Sequence, residues 1–253
     1  MMIDTHCHLD AAEFDGDRRE VHAAGLASGV STIVVPAVTV AGFDKTRQTV
    51  AQYAGCVAAY GIHPLYVMQA TEGDLATLRQ WLADEAPVAV GEIGLDHYVS
   101  GIDPQRQEFF FVEQLKLARE FDLPVLLHVR RAVDPILKQL RRFRVRGGIA
   151  HAFNGSRQQA DEFIKLGFVL GFGGAMTFSG STRIRSLARE LPLESIVLET
   201  DAPDIPPTWL NGGRNAPSEL PAIADALADL RGITRHDVAT ATSANARRVL
   251  PGI

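Results

Sequence analysis

Five of the chain's eight histidines, His6, His8, His63, His128 and His151, stand where a short apolar run gives way to polar residues. Glu92 in GEIGLD and Asp201 in LETDAP occupy the same kind of position, with Glu199 two residues before Asp201. Imidazole nitrogens and carboxylate oxygens are the donors of zinc, manganese or iron sites, and of magnesium where carboxylate and water dominate. A His-x-His pair alone is weak evidence. His6, His8, Glu92, His128, His151 and Asp201 together offer more donors than one catalytic ion takes from protein, since a position must stay open for water. Two ions sharing Glu92 account for the surplus. One would take His6, His8, Glu92 and Asp201, and the other Glu92, His128 and His151. Two ions ~3.5–4 Å apart can hold a hydroxide between them and stabilise both oxygens of a phosphodiester displacement. A carbamylated lysine cannot be the bridge, because Lys45, Lys116, Lys138 and Lys165 all fall in helical patterns.

Such convergence needs a scaffold that brings many strand ends to one rim. The chain alternates short apolar segments with amphipathic stretches. Strands are predicted at Met2–His8, Thr32–Ala37, Val57–Ile62, Val88–Glu92, Val125–His128, Gly148–His151, Phe168–Gly171 and Ser195–Thr200. Helices are predicted near 17–28, 42–54, 74–85, 104–121, 132–142, 156–166 and 182–191, with two more near 218–230 and 234–249 after the last strand. Strands joined by helical crossovers pair in parallel. An open sheet would spread the donors along a line, whereas a closed barrel gathers them at the C-terminal ends of its strands. The expected architecture is therefore α/β, a (β/α)8 TIM-like barrel with extra C-terminal helices, spanning residues 1–253 as a single domain near the typical ~250-residue size. Residues i and i+2 of a strand share a face. On that rule His6 and His8 both point inward, Cys7 points to the helix layer, and Glu199 shares a face with Asp201.

Other polar residues have plainer readings. His97, in the loop after strand four, is expected near the site without being a ligand, and His22 and His236 are expected on solvated helix faces. Glu199 either orients a ligand or is a buried acid paired with an arginine. Residues 130–146 hold seven basic residues and one acid, Asp134. Arg130 and Arg131 follow strand five and can hold phosphate. Arg141, Arg142, Arg144 and Arg146 fall at the opposite face, where they complement a helix dipole. Phe14, Tyr66 and Trp209 are loop aromatics that can stack on bases or cap the core.

The formal charge of −5 argues against a protein that coats duplex DNA with a basic face. Two cysteines, Cys7 and Cys56, give no disulfide framework and are expected at opposite ends of their strands. The N-terminus MMIDTHCHLD lacks the pattern of a secretory signal, and no apolar run is long enough to span a bilayer. A cytoplasmic protein is expected.

In this order, IDTHCHLD, GIHP, GEIGLD, LLHVRR, HAFNGS and LETDAP closely resemble the TatD-type hydrolases of the amidohydrolase superfamily, and the resemblance extends to SANARRVL near the C-terminus. The resemblance implies a TIM-like barrel, two divalent metal ions (magnesium, manganese or zinc) and hydrolysis of DNA phosphodiesters, often at a single-stranded 3′ end. It supports His6, His8, Glu92, His128, His151 and Asp201 as ligands and His63 as a substrate-side residue. Asp201 would take a proton from the attacking hydroxide, and His63, Arg130 and Arg131 would position phosphate. His97, Asn154 and Ala216 depart from residues common in the family and bear on substrate preference. The alternative is the same site hydrolysing a cyclic amide, a lactone or a small phosphate ester.

Overall fold

The computed structural model describes all residues from Met1 to Ile253. Eight strands, β1 (Met2–Asp4), β2 (Val30–Pro36), β3 (Cys56–Tyr60), β4 (Ala89–Asp96), β5 (Val125–Arg130), β6 (Gly148–Ala150), β7 (Phe168–Phe172) and β8 (Ile196–Leu198), form one sheet in sequential order, each parallel to the next. Between them run α1 (Arg18–Ala27), α2 (Phe43–Gln52), α3 (Glu72–Glu85), α4 (Pro104–Glu120), α5 (Val133–Phe143), α6 (Arg157–Lys165) and α7 (Thr182–Glu190), with α8 (Leu220–Arg231) and α9 (Arg235–Val249) after β8. The sheet closes on itself beyond the regular ladders. Thr5 N–H donates to Leu198 O at 3.1 Å, Asp201 N–H to His6 O at 2.8 Å and His8 N–H to Ala202 O at 2.8 Å. This is the expected (β/α)8 barrel.

The barrel interior is filled by one residue from each strand: Ile3, Val34, Ala59, Ala89, Leu126, Ile149, Val169 and Val197. Ala246, Val249 and Leu250 belong to the same buried cluster. Asn245 of α9 donates to Leu193 O and Ile196 O, both at 2.8 Å, so α9 lies beneath the N-terminal ends of the strands and plugs that mouth. Helix α8 instead packs against α7, β8 and β1, completing the outer ring. A larger apolar cluster fills the layer between sheet and helices. The local signals behave as their chemistry dictates. Ser156 caps α6 by accepting from Gln159 N–H at 3.2 Å, and Gly167, with φ 87°, turns the chain past its end.

Of the strand boundaries that differ from expectation, two matter most for the site. The first strand ends at Asp4 rather than His8, and the fourth continues to Asp96 rather than stopping at Glu92. His128 and His151 lie two residues beyond the interior apolar residues Leu126 and Ile149, as alternation requires. His6 and Glu92 lie three beyond Ile3 and Ala89. Strict alternation would send both outward. In β4 the register with β5 slips between Val90 and Ile93, and in the first strand regular pairing stops at Asp4. The extra residue in β4 rotates Glu92 back to the inside, as a bulge does, and His6 turns inward beyond the end of regular pairing at Asp4. No helix is long and apolar enough to cross a membrane.

Candidate metal centre

Five imidazoles surround one buried carboxylate at the C-terminal mouth of the barrel. Glu92 is 1% exposed. Its Oε2 faces His6 Nε2 at 3.2 Å and His8 Nε2 at 3.6 Å. Its Oε1 faces His128 Nδ1 at 3.0 Å, His151 Nε2 at 3.1 Å and His63 Nε2 at 3.4 Å. Asp201 Oδ1 completes the first side, 3.6 Å from His6 and 3.8 Å from His8, and also lies 3.9 Å from His151. The His6 and His151 rings stack with centroids 3.9 Å apart. Six sequence-selected donors from five strand ends therefore meet in one cage, and His63 joins them.

The charges explain how so polar a cluster stays buried. Desolvation opposes ionisation of Glu92, yet His63, His6 and His151, together with a hydrogen bond to His128, hold it well below the usual carboxylate range. Burial pushes His6 down to about 3 and lowers His63. Burial also opposes a proton on His128 and His151, but hydrogen bonds to Asp96 and Glu92 raise His128, and the charges of Glu92 and Asp201 raise His151 well above the imidazole range. Burial lifts Asp201 to about 6.

Three overlapping groups can hold a metal ion: His6 with Glu92 and His151; His6 with His8 and Asp201; and His63 with Glu92 and His128. In each group the donor atoms lie within 4.8 Å of one another. His6 Nδ1 and His151 Nδ1 are buried without hydrogen-bond partners, as is Glu199 Oε2. Packed imidazoles beside an ionised, desolvated carboxylate are what a divalent cation offsets. The residues fit such ions. His63 also stands inside the cage, its Nε2 3.1 Å from His128 Nδ1.

Residues 3–251 match the family described as TatD related DNase. The chain belongs to the TatD family. The metal-dependent hydrolase YjjV of Escherichia coli K12 is 39% identical over 244 residues, covering 94% of this chain and 93% of that protein. The crystal structure of YjjV superimposes with a TM-score of 0.95 at 37% identity, covering 98% of this chain and 97% of that one. Among other relatives, the protein named 3′-5′ ssDNA/RNA exonuclease TatD from Cronobacter sakazakii is 33% identical over 260 residues, with 98% of this chain and 97% of that protein covered. This TatD-family chain is a metal-dependent hydrolase, and its barrel mouth carries the donors such an enzyme needs.

Around the cage, Glu199 is 1% exposed; its Oε1 accepts from Ala152 N–H at 2.5 Å and lies 3.6 Å from His151 Nδ1. No arginine pairs with it. Arg130 reaches the rim, with its guanidinium 4.0 Å from Asp96 Oδ2. Sequence reasoning missed Asp96. It is 2% exposed, its Oδ2 lies 2.9 Å from His128 Nε2, and its Oδ1 accepts from Tyr98 N–H at 2.8 Å and Val99 N–H at 3.0 Å. Desolvation opposes its charge, but His128 and the two amides hold it at about 2. Its spacing four residues after Glu92 was the available signal, masked by ending the strand too early.

One expectation needs correction, and one pair of alternatives is decided. His22 is buried, not solvated: on the inner face of α1 its Nε2 lies 2.9 Å from Ala54 O, a carbonyl beyond the end of α2 that needs a donor. Phe14 is 0% exposed and packs in the core, so it cannot stack on a base. His97 and His236 are exposed, and Cys7 and Cys56 are buried and free. Arg141 and Arg142 stand in the last turn of α5 as expected.

Proposed function

We propose that the protein is a deoxyribonuclease that degrades single-stranded DNA from its 3′ end, using two divalent ions held around Glu92. One observation carries the reading: the Glu92 carboxylate is divided, Oε2 toward His6 and His8, Oε1 toward His63, His128 and His151. A carboxylate so shared suits a pair of ions better than one. His6, His8, Glu92 and Asp201 would hold the first, and Glu92, His128 and His151 the second. When bound, two such ions supply Lewis acidity, acidifying water and stabilising charge on the attacking and leaving oxygens of a phosphodiester.

The chain's own groups do the rest. Asp201, lifted by burial to about 6, is placed to accept a proton from the incoming water at its carboxylate. His63, beside His128, orients the phosphate or carries a proton toward the leaving oxygen. Glu199, 3.6 Å from His151 Nδ1, steadies that imidazole by its charge, and Arg130 draws phosphate to the rim. A strand end enters a rim pocket more readily than a rigid duplex, which agrees with the net charge of −5. The exonuclease named among the relatives agrees with the same substrate.

The test is hydrolysis of 3′- and 5′-end-labelled single-stranded DNA by the wild type and Glu92→Ala, loaded in turn with magnesium, manganese and zinc. Stepwise loss from the 3′ end is expected from the wild type, falling at least ~10³-fold in the variant. Equal activity of the two would expose a contaminating nuclease. Turnover of a cyclic amide or lactone with none of DNA would overturn the proposal.

A further inference from the structure

Arg130 and Arg131 end β5 and begin the loop that follows it, and neighbouring residues of a strand point to opposite faces. Here both guanidiniums lie against one ring, that of Tyr98, at 3.9 Å and 4.6 Å from its centroid. Arg131 reaches it because its backbone is left-handed, with φ 53°, a conformation that side chains with a Cβ rarely adopt. The backbone that carries the ring is held in place. Asp96 Oδ1 accepts from the amides of Tyr98 and Val99, and His97 N–H donates to Arg130 O at 2.9 Å.

Two cations have thus been brought together without an acid to neutralise them. Arg131 makes no ion pair, and the only carboxylate near Arg130 is Asp96 at 4.0 Å, already engaged by His128 at 2.9 Å. Other arginines, Arg142 and Arg144 among them, also lack a carboxylate, but no other two share one aromatic ring. Tyr98 is 49% exposed, so the cluster faces solvent at the rim. Its distance from the cage is short, because Asp96 alone links Arg130 to His128.

We propose that Arg130 and Arg131, backed by Tyr98, form an anion subsite that holds the phosphate next to the one cleaved. This rests on the phosphodiester reading above and narrows it: the preferred substrate is a strand with consecutive phosphates, not an isolated ester. Paired guanidiniums present forked donors to phosphate oxygens, and the aromatic face fixes their planes without cancelling their charge. A cyclic amide or lactone would leave this pair without an anion.

Two measurements on Arg130→Ala, Arg131→Ala, Tyr98→Ala and Tyr98→Phe decide it. In the first, binding of a fluorescent single-stranded oligonucleotide is followed by anisotropy against salt, with EDTA present to prevent cleavage. Each arginine variant is expected to flatten the slope of log K against log salt by about 0.7, one phosphate's worth of counterion release on a single strand. Slopes equal to wild type overturn the subsite. In the second, kcat/KM for the oligonucleotide is divided by that for bis(4-nitrophenyl) phosphate, which carries one phosphodiester. The ratio is expected to fall at least ~10-fold in both arginine variants and Tyr98→Ala, while Tyr98→Phe, which keeps the ring, stays within ~3-fold of wild type. A proportional loss on both substrates overturns the proposal, since damage to the metal cage alone would do that. A wild type that cleaves the ester but never the oligonucleotide removes the nuclease reading instead, and the salt slopes then still decide whether the subsite binds consecutive phosphates.

Discussion

Asp4 and Thr200, 196 residues apart, close the barrel: Thr200 Oγ–H donates to Asp4 Oδ2 at 2.6 Å and Thr200 N–H to Asp4 Oδ1 at 2.9 Å. Asp4 Oδ1 also accepts from His6 N–H at 3.3 Å, so one buried carboxylate ties the chain just before His6 to the chain just before Asp201. Burial raises its pKa to about 7 despite those bonds. Removing the carboxylate strands buried donors on both sides of the seam. Asp4→Ala is expected to cost about 2–4 kcal/mol. In a chain of this size that lowers Tm by roughly 4–16 °C. Asp4→Asn, which keeps one acceptor, should lose less. Thermal scans of the metal-free protein check this, and a melting curve for Asp4→Ala that overlays the wild type would show the seam to be held by the backbone alone.

Proton counting tests the cage. The charges of Glu92 and Asp201 raise His151 well above the ordinary imidazole value, so in the metal-free protein it keeps its proton at neutral pH, and Asp96 and Glu92 shift His128 in the same direction. Asp201, at about 6, keeps part of one. His6, held near 3, has none to give. Ligation requires neutral imidazole and ionised carboxylate. Metal binding at pH 7 must therefore expel protons, and affinity should climb with pH above 6.5 rather than fall. Calorimetric titration with manganese in two buffers of different ionisation enthalpy reads the number directly, with about one or two protons released expected. Zero release, or uptake, would contradict the arrangement.

How much of this was legible beforehand depended on where backbone geometry was regular. His128 and His151, expected at strand ends, follow interior apolar residues by two positions, so regular alternation also turns them inward. His6 was placed inward by the same rule, but counted from Ile3 that rule gives the opposite face. Only the loss of regular pairing after Asp4 restores it. Glu92 likewise depends on the slip between Val90 and Ile93, which no residue pattern announced. Asp96 and Tyr98 were hidden because the fourth strand runs farther than its apolar run. His22 looked like a solvated helix residue, since one-dimensional patterning does not show which distant carbonyl lacks a donor. The role of α9 as a plug was invisible for a similar reason: its buried residues meet the barrel interior only after closure.

Metal removal should be visible in stability as well as in activity. Ions that bind only the folded cage stabilise it by about 2.7 kcal/mol at a hundred times their Kd. For a chain of this length that corresponds to roughly 5–11 °C in Tm. Manganese or zinc is expected to raise the melting temperature by this amount and EDTA to reverse it. Glu92→Gln, which withdraws the shared charge from five imidazoles, should lose most of the increment. An undiminished metal-dependent shift in that variant would mean the ions bind elsewhere.

Gly171 on β7 leaves the space that Glu199 occupies: a Cβ added there would fall directly on the Glu199 carboxylate. That carboxylate accepts from Ala152 N–H, whose residue is left-handed at φ 45°, and lies 3.6 Å from His151 Nδ1. The glycine, the acid and the histidine therefore form one packed unit. Gly171→Ala should drive Glu199 from its place and cost about 1–3 kcal/mol from overpacking, with weaker metal binding as His151 loses its neighbour. Glu199→Gln keeps the shape but not the charge, and should weaken metal affinity about 10–100-fold with little change in fold. The decisive comparison is the double variant. With Glu199→Ala removing the obstructing carboxylate, the added methyl group has room, so Gly171→Ala should cost at least ~1 kcal/mol less in that background than in wild type. Denaturation of the four proteins of this cycle, each also titrated with manganese, measures both effects. Strict additivity in stability would show that Gly171 and Glu199 act independently, and the placement of His151 would then need another support.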